Sequence, residues 1–129
     1  MSTAVHAAFE AQVDRQPDAT AVIAGTVRLT YRELDERANR LAHRLREAGI
    51  RPETPIAFLL ERDETPVIAI LSILKAGCNY VPIEPAYPAD RRAYIIENSR
   101  AHVVITPREM AATLPAAANV IFIDDDLGA

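Results

Sequence analysis

The amino-acid sequence predicts an α/β fold: a partial, mostly parallel sheet flanked by helices, with a small N-terminal β-hairpin. Residues 55–60 form a continuous apolar run without alternation, as expected of a strand covered on both faces. Strand-like runs alternate with helical patterns from there to residue 123, which is typical of parallel sheets. Earlier in the chain, Gly25-Thr26 separates two short β-prone runs at 21–24 and 27–30, which predicts the hairpin.

Two helices are predicted before the sheet. The first is an amphipathic helix that begins near Val5 and ends before Pro17. The second starts at a capping box, in which the Thr30 side chain caps the helix and Glu33 returns a bond to the backbone of the cap. Gly49 is expected to end it in the left-handed conformation. One face of this helix is predicted to be apolar, because apolar residues recur at helical spacing. They are Leu34, Ala38, Leu41, Leu45 and Ala48.

A third helical pattern follows the 55–60 strand. Thr65 is the predicted N-cap, Pro66 takes the first position, and the helix runs to Lys75 before Gly77 ends it. Deep burial is expected because the helix is apolar nearly all round. The apolar residues are Val67, Ile68, Ile70, Leu71, Ile73 and Leu74.

The second half of the chain continues the alternation. A strand is predicted at 79–83, where Pro82 and Pro85 confine it to a strand end or a sheet edge. Asp90 is the predicted cap of a helix that runs to about Asn98. Two further buried strands are predicted at 103–105 and 120–123, with a short helix at 107–113 between them.

Composition excludes several classes of partner. The chain has 129 residues, the size of one compact unit, and a net charge of -4, which disfavours binding to nucleic acid or an anionic membrane. We find no secretion signal and no apolar run long enough to span a bilayer. The single cysteine, Cys78, suits a reducing compartment, so we expect a cytoplasmic location.

Two segments of the chain carry a specific likeness. Residues 29–34 resemble the first core motif of nonribosomal peptide synthetase adenylation domains, which belong to the adenylate-forming enzyme superfamily, and residues 74–85 resemble the second. The resemblance extends from about Phe9 to Thr106. The residues that match the family motifs, for which we expect structural roles, are Leu29, Thr30, Tyr31, Glu33, Leu34, Leu74, Lys75, Ala76, Gly77, Tyr80, Val81 and Pro82.

The resemblance implies a function for a larger enzyme. Residues 1–129 would be the N-terminal part of an adenylation domain, truncated before its phosphate-binding loop. The complete enzyme would join an amino-acid carboxylate to the α-phosphate of ATP, release pyrophosphate and load a carrier-protein thiol. ATP and Mg are implied for that complete domain and none for this chain alone. The implied partners are the remainder of the domain, or a self-associating copy of the chain, and the carrier protein.

Two other functions are consistent with the sequence. The chain could be a naturally short, non-catalytic protein that complements or regulates a separate adenylation enzyme through binding. A free-standing nucleotide-binding domain is the third hypothesis, but it needs a phosphate cradle of clustered glycines. The glycines are instead isolated, at Gly25, Gly49, Gly77 and Gly128. For the first two hypotheses we expect dimerisation or instability in isolation, because apolar faces would be left uncovered.

No catalytic, cofactor-binding or metal-ligating residue is predicted in this chain. Lys75 near a helix C-terminus is interpreted as complementing the helix dipole, and Cys78 as a small buried residue. The histidines are too far apart in sequence to suggest a metal site, at His6, His43 and His102. The aspartates at 124–126 are interpreted as a solvated loop, and residues 61–64 as a polar turn with at most a weak salt bridge.

Overall fold

The computed structural model describes residues 2–101, 103–114 and 119–123. The helices and strands alternate as the sequence predicts. In chain order they are α1 (Ser2–Arg15), β1 (Thr20–Ala24), β2 (Val27–Thr30), α2 (Tyr31–Glu47), β3 (Pro55–Leu59), α3 (Thr65–Lys75), β4 (Asn79–Ile83), α4 (Ala89–Ser99), β5 (Val103–Thr106), a 3-10 helix (Arg108–Thr113) and β6 (Asn119–Phe122).

The strands form two sheets. β1 and β2 pair antiparallel, with Ala24 opposite Val27, and Gly25 in the turn has the positive φ that suits glycine. The other strands form a parallel sheet in the order β4-β3-β5-β6. Both the hairpin and the mostly parallel sheet are therefore confirmed.

Each face of the parallel sheet packs against its own helices. Ile56 and Phe58 of β3 contribute to the core shared with α2 and α3, whereas Ala57 and Leu59 contribute to the core shared with α4. The continuous apolar run is thus explained, because alternate residues of one strand are buried on opposite faces. Pro82 lies on β4, an edge strand of the described sheet, as its missing N–H requires.

The start of α2 shows the predicted capping box. The backbone N–H of Glu33 donates to Thr30 Oγ1 at 3.1 Å, and the backbone N–H of Thr30 donates to Glu33 Oε1 at 2.8 Å. The bond from the Thr30 backbone lowers the pKa of the Glu33 carboxyl. A lowered pKa stabilises the folded state at neutral pH, and that contribution disappears as the pH falls through the folded-state pKa.

Replacing Thr30 with alanine is expected to lower the free energy of unfolding by about 0.5–2 kcal/mol, because the Glu33 backbone N–H loses its acceptor. Urea denaturation measures the change. Thr26→Ala is the matched control, since Thr26 lies exposed in the hairpin turn outside the capping box. Equal losses in the two variants would contradict a capping role.

Two predicted helix caps are wrong. Thr65 is the first residue of α3, and the N-cap position belongs to Glu64. The carboxylate of Asp63 accepts the backbone N–H of Thr65 at 2.8 Å and also its hydroxyl, so a residue outside the helix satisfies the first turn. Likewise, α4 begins at Ala89 after Pro88, whose extended ψ of 156° suits the N-cap.

Asp90 therefore lies within the first turn of α4, where its carboxylate accepts the backbone N–H of Arg91 at 2.9 Å. A negative charge at this position still favours the helix dipole. The predicted helix ends are correct, since Gly49 and Gly77 follow α2 and α3 with φ of +82° and +77°. Among the described residues, we find no helix with the length and apolarity needed to cross a bilayer.

Candidate functional site

Lys75, in the second motif-like segment, lies at the end of α3 beside residues of α1 and α2. The Lys75 ammonium lies 3.0 Å from Asp35 Oδ1 on α2 and 2.5 Å from Glu10 Oε2 on α1. Its side chain is only 4% exposed. The Phe9 ring centroid is 5.7 Å from Nζ, and the Phe9 and Tyr31 rings are 6.0 Å apart. We refer to these five residues, Phe9, Glu10, Tyr31, Asp35 and Lys75, as the motif junction.

The fold holds each charged group of the motif junction in place. Asp35 lies near the capped start of α2, and its Oδ2 accepts the Asn39 side-chain amide at 3.3 Å. Oδ1 accepts no hydrogen bond from the described residues, so its contact with Lys75 is an ion pair. A buried ammonium between two carboxylates is compensated in charge. The motif junction therefore links α1, α2 and α3 through ion pairs.

The contacts of Lys75 were not predicted. The sequence interpretation placed its charge against the carbonyls of its own helix. Instead, the ammonium binds carboxylates of α1 and α2, and the guanidinium of Arg46 donates to the Lys75 carbonyl at 2.9 Å. The terminal carbonyl of α3 is thus satisfied by a cation from α2.

The other motif residues occupy core, turn and edge positions. Leu29 and Leu34 are buried in the core beneath α2, and Leu74 is buried on α3. Ala76 and Gly77 end α3, whereas Tyr80, Val81 and Pro82 lie on the edge strand β4. The ring of Tyr80 packs 6.4 Å from that of Phe58 and remains partly exposed.

Cys78 is buried directly after α3, as predicted, and its thiol contacts the carbonyl oxygen of Arg51 at 3.3 Å. Burial raises the pKa of this thiol. Because the thiolate is the reactive form, we expect Cys78 to react with a disulfide reagent at pH 8 far more slowly in the folded chain than in urea. Absorbance of the released thiol measures the rate, and equal rates in the two states would contradict the burial.

The carboxyl ends of the parallel strands are a usual place for ligands in α/β sheets, at the point where the strand order reverses. Here that point lies between β3 and β5. The Thr106 hydroxyl donates to the Leu59 carbonyl at 2.8 Å, and Asp63 accepts bonds from the start of α3. Arg62 forms an exposed pair with Glu84 at 3.1 Å. These polar groups therefore already have partners within the fold.

The described residues do not fit an ATP–Mg site. The three described glycines stand apart, each in a turn or after a helix, so they form no cradle of successive backbone amides. Within the described ranges, no group of three or more His, Cys, Asp or Glu side chains could hold a metal ion. The aspartates at 124–126, His102 and Gly128 lie outside the described residues, as does the side chain of His6.

Comparison with known proteins gives a consistent family. The family model described as AMP-binding enzyme matches residues 9–127. The chain is 50% identical over 123 residues to a linear gramicidin synthase protein of Brevibacillus parabrevis, in a match that covers 95% of this chain and 2% of that protein. It is 43% identical over 118 residues to tyrocidine synthase 2 of the same organism, with 92% of this chain and 3% of that protein covered. The chain thus spans only a small part of each of these relatives.

Comparison with solved structures gives the same family as the sequence relatives. A crystal structure of the nonribosomal peptide synthetase FmoA3, bound to alpha-methyl-L-serine-AMP, matches with a TM-score of 0.89 and 38% identity, over 95% of this chain and 14% of that one. The N-terminal subdomain of NpsA from Klebsiella oxytoca, in complex with 3-hydroxyanthranilyl-AMSN, matches with a TM-score of 0.85 and 25% identity, over 95% of this chain and 31% of that one. The chain therefore belongs to the AMP-binding enzyme family and corresponds to the N-terminal portion of a nonribosomal peptide synthetase adenylation domain.

Proposed function

We propose that this segment is a structural scaffold within an amino-acid-activating adenylation domain, and that ATP and Mg bind to the remainder of that domain. The motif junction is the observation that carries the proposal. Lys75 is the one lysine of the chain, and its ammonium is enclosed by Glu10, Asp35 and Phe9. A cation held in this way supports packing of the helices and is not presented to a phosphate.

The complete domain would join an amino-acid carboxylate to the α-phosphate of ATP and release pyrophosphate. The aminoacyl group would then pass to the thiol of a carrier protein. In this proposal the segment contributes the first strands of a sheet and the helices that cover it. Its partners are the remainder of the domain and, through the complete enzyme, the carrier protein. A cytoplasmic location is part of the proposal, supported by the single buried thiol of Cys78.

Amino-acid-dependent exchange of pyrophosphate into ATP tests this proposal. The chain would be assayed alone and mixed with a remainder, defined as the adenylation-domain residues that follow the matched 123 residues in the 50% identical linear gramicidin synthase protein. We expect exchange only in the mixture. The remainder assayed alone is the control.

Exchange by the chain alone would show that it holds a complete active site, contrary to the proposal. Exchange by the remainder alone at the rate of the mixture would show that this segment is dispensable. Either result would contradict the proposal that this segment is a scaffold required for catalysis.

A further inference from the structure

Amine and thiol side chains are few in this chain. Of its 14 lysine and arginine residues only Lys75 is a lysine, and Cys78 is the single cysteine. An unprotonated amine and a thiolate are the strong nucleophiles that protein side chains offer to activated acyl groups. The guanidinium of arginine stays protonated and offers no such lone pair. The chain therefore carries almost all of its positive charge in a form that acyl groups do not modify.

The structure shelters both of these nucleophiles. The Lys75 side chain is 4% exposed, and its ammonium lies 2.5 Å from Glu10 Oε2 and 3.0 Å from Asp35 Oδ1. Cys78 is fully buried, and burial raises the pKa of its thiol, so the unreactive protonated form is favoured. An acyl donor in solution reaches neither group unless the surrounding side chains move away.

The exposed cations are of a different chemical kind. Arg28 on β2, Arg51 before β3 and Arg91 on α4 are all exposed. His43 is exposed as well, but an acyl group on imidazole is itself activated and passes on to water. Hydroxyl side chains are weak nucleophiles unless a neighbouring base activates them. A stable acyl group on a side chain of this segment would therefore require Lys75 or Cys78.

We propose that this segment is inert toward the aminoacyl adenylate of the complete domain, which leaves the activated acyl group for the carrier-protein thiol. The inference rests on the proposed function, in which that adenylate is the intermediate. An accessible thiol on the segment would compete with the carrier thiol for the acyl group. Acylation of Lys75 would remove the positive charge that faces Glu10 and Asp35.

The reaction that the fold prevents is acyl transfer from the adenylate to a side chain. The amine lone pair would attack the carbonyl carbon, an amide C–N bond would form, and the C–O bond to the phosphate would break. AMP would leave with the bonding electron pair, and the nitrogen would lose a proton to water. A thiol would react in the same way to give a thioester. Neither reaction needs an oxidant or a reductant.

Arg28→Lys tests the inference, because it places an amine on the exposed surface without changing the charge. The probe is synthetic acetyl adenylate, a mixed anhydride with the same leaving group, added to the 129-residue chain alone. Peptide mass spectrometry measures the rates of acetylation at the introduced lysine and at Lys75 in the same molecule. Urea denaturation verifies that the variant is folded, and the wild-type chain in urea gives the rate at Lys75 without the fold.

We expect the introduced lysine to be acetylated at least about tenfold faster than Lys75 in the folded variant, because Lys75 reacts only when its surroundings open. In urea, Lys75 is expected to react at a rate close to that of the introduced lysine. Thr26→Cys is the matched test for the thiol, since Thr26 is exposed in the hairpin turn. The introduced cysteine is expected to be acetylated at least about tenfold faster than Cys78.

Equal rates at Lys75 and at the introduced lysine in the folded chain would overturn the inference. Acetylation of Cys78 at the rate of the introduced cysteine would do the same. A rate at Lys75 that urea does not raise would show that the fold is not what shelters it. These results do not involve the remainder, so they leave the proposed function intact.

A second measurement uses the adenylate that the proposed function supplies. The chain and the remainder would be mixed with ATP, Mg and the amino acid, and aminoacyl groups on the chain would be located by mass spectrometry. We expect them on the Arg28→Lys variant and not on the wild-type chain. Aminoacylation of wild-type Lys75, or an unmodified variant despite pyrophosphate exchange, would overturn the inference. Absence of exchange would instead overturn the proposed function.

Discussion

Replacing Lys75 with alanine is expected to lower the free energy of unfolding by about 2–4 kcal/mol, because Asp35 would remain partly buried without its cation. We expect less than the largest losses of stability seen when a buried ion pair is broken, because Glu10 is half-exposed and water can solvate its carboxylate. Removal of the buried lysine stem adds lost packing to the lost charge. Urea denaturation at pH 7 measures the change.

An exposed ion pair provides the matched control for this prediction. Arg62 pairs with Glu84, but its side chain is 85% exposed. We expect Arg62→Ala to cost less than about 1 kcal/mol, because solvent screens the pair. If the two alanine variants lost equal stability, the motif junction would be no more than another surface contact.

The Leu41→Ala variant is expected to lose about 2–5 kcal/mol of unfolding free energy. Leu41 is fully buried on α2, in the core that α2 shares with α3 and one face of the sheet. The substitution removes apolar contacts and leaves a cavity that the surrounding helices and strands can fill only in part. Thermal and urea denaturation both report the loss.

Ile23→Ala is the control for the core substitution, since this large apolar side chain is mostly exposed. We expect a change within about 0.5 kcal/mol, as for a surface position. A loss below about 1 kcal/mol in Leu41→Ala would contradict a tightly packed interface between α2 and α3.

Much of the fold could be predicted because its signals are local. The capping box at Thr30 and Glu33 involves residues three positions apart, and both of its bonds form. The apolar run of β3 shows its burial on both faces without knowledge of any partner strand. Pro82 restricts β4 to an edge through a property of one residue.

The capping errors also have a local cause. A threonine before a proline at a helix start resembles an N-cap, but Asp63 supplies the acceptor from outside α3. At α4, Pro88 takes the N-cap position, so Asp90 lies within the first turn and does not cap it. Several neighbouring residues can satisfy the same first turn, and sequence alone does not rank them.

The motif junction could not be predicted from spacing. Glu10 lies 65 residues before Lys75 in the chain, and Asp35 belongs to a different helix again. Their meeting depends on how α1 and α2 pack beside α3, which no periodicity encodes. The likeness of the two motifs to adenylation domains includes Lys75, but its ion pairs depend on the three-dimensional arrangement of the helices.

The Lys75→Met variant distinguishes a lysine that supports helix packing from a lysine that binds phosphate. Both its catalytic activity and its stability would be measured. Pyrophosphate exchange by the mixture of chain and remainder would be measured against ATP concentration, at a temperature where both wild type and variant are folded. We expect a less stable protein whose kcat/KM for ATP stays within about threefold of wild type, because Lys75 binds helices and not phosphate. Unchanged stability with kcat/KM lowered by about 100-fold or more would refute the scaffold role, since that is the loss expected when a group that stabilises transition-state charge is removed.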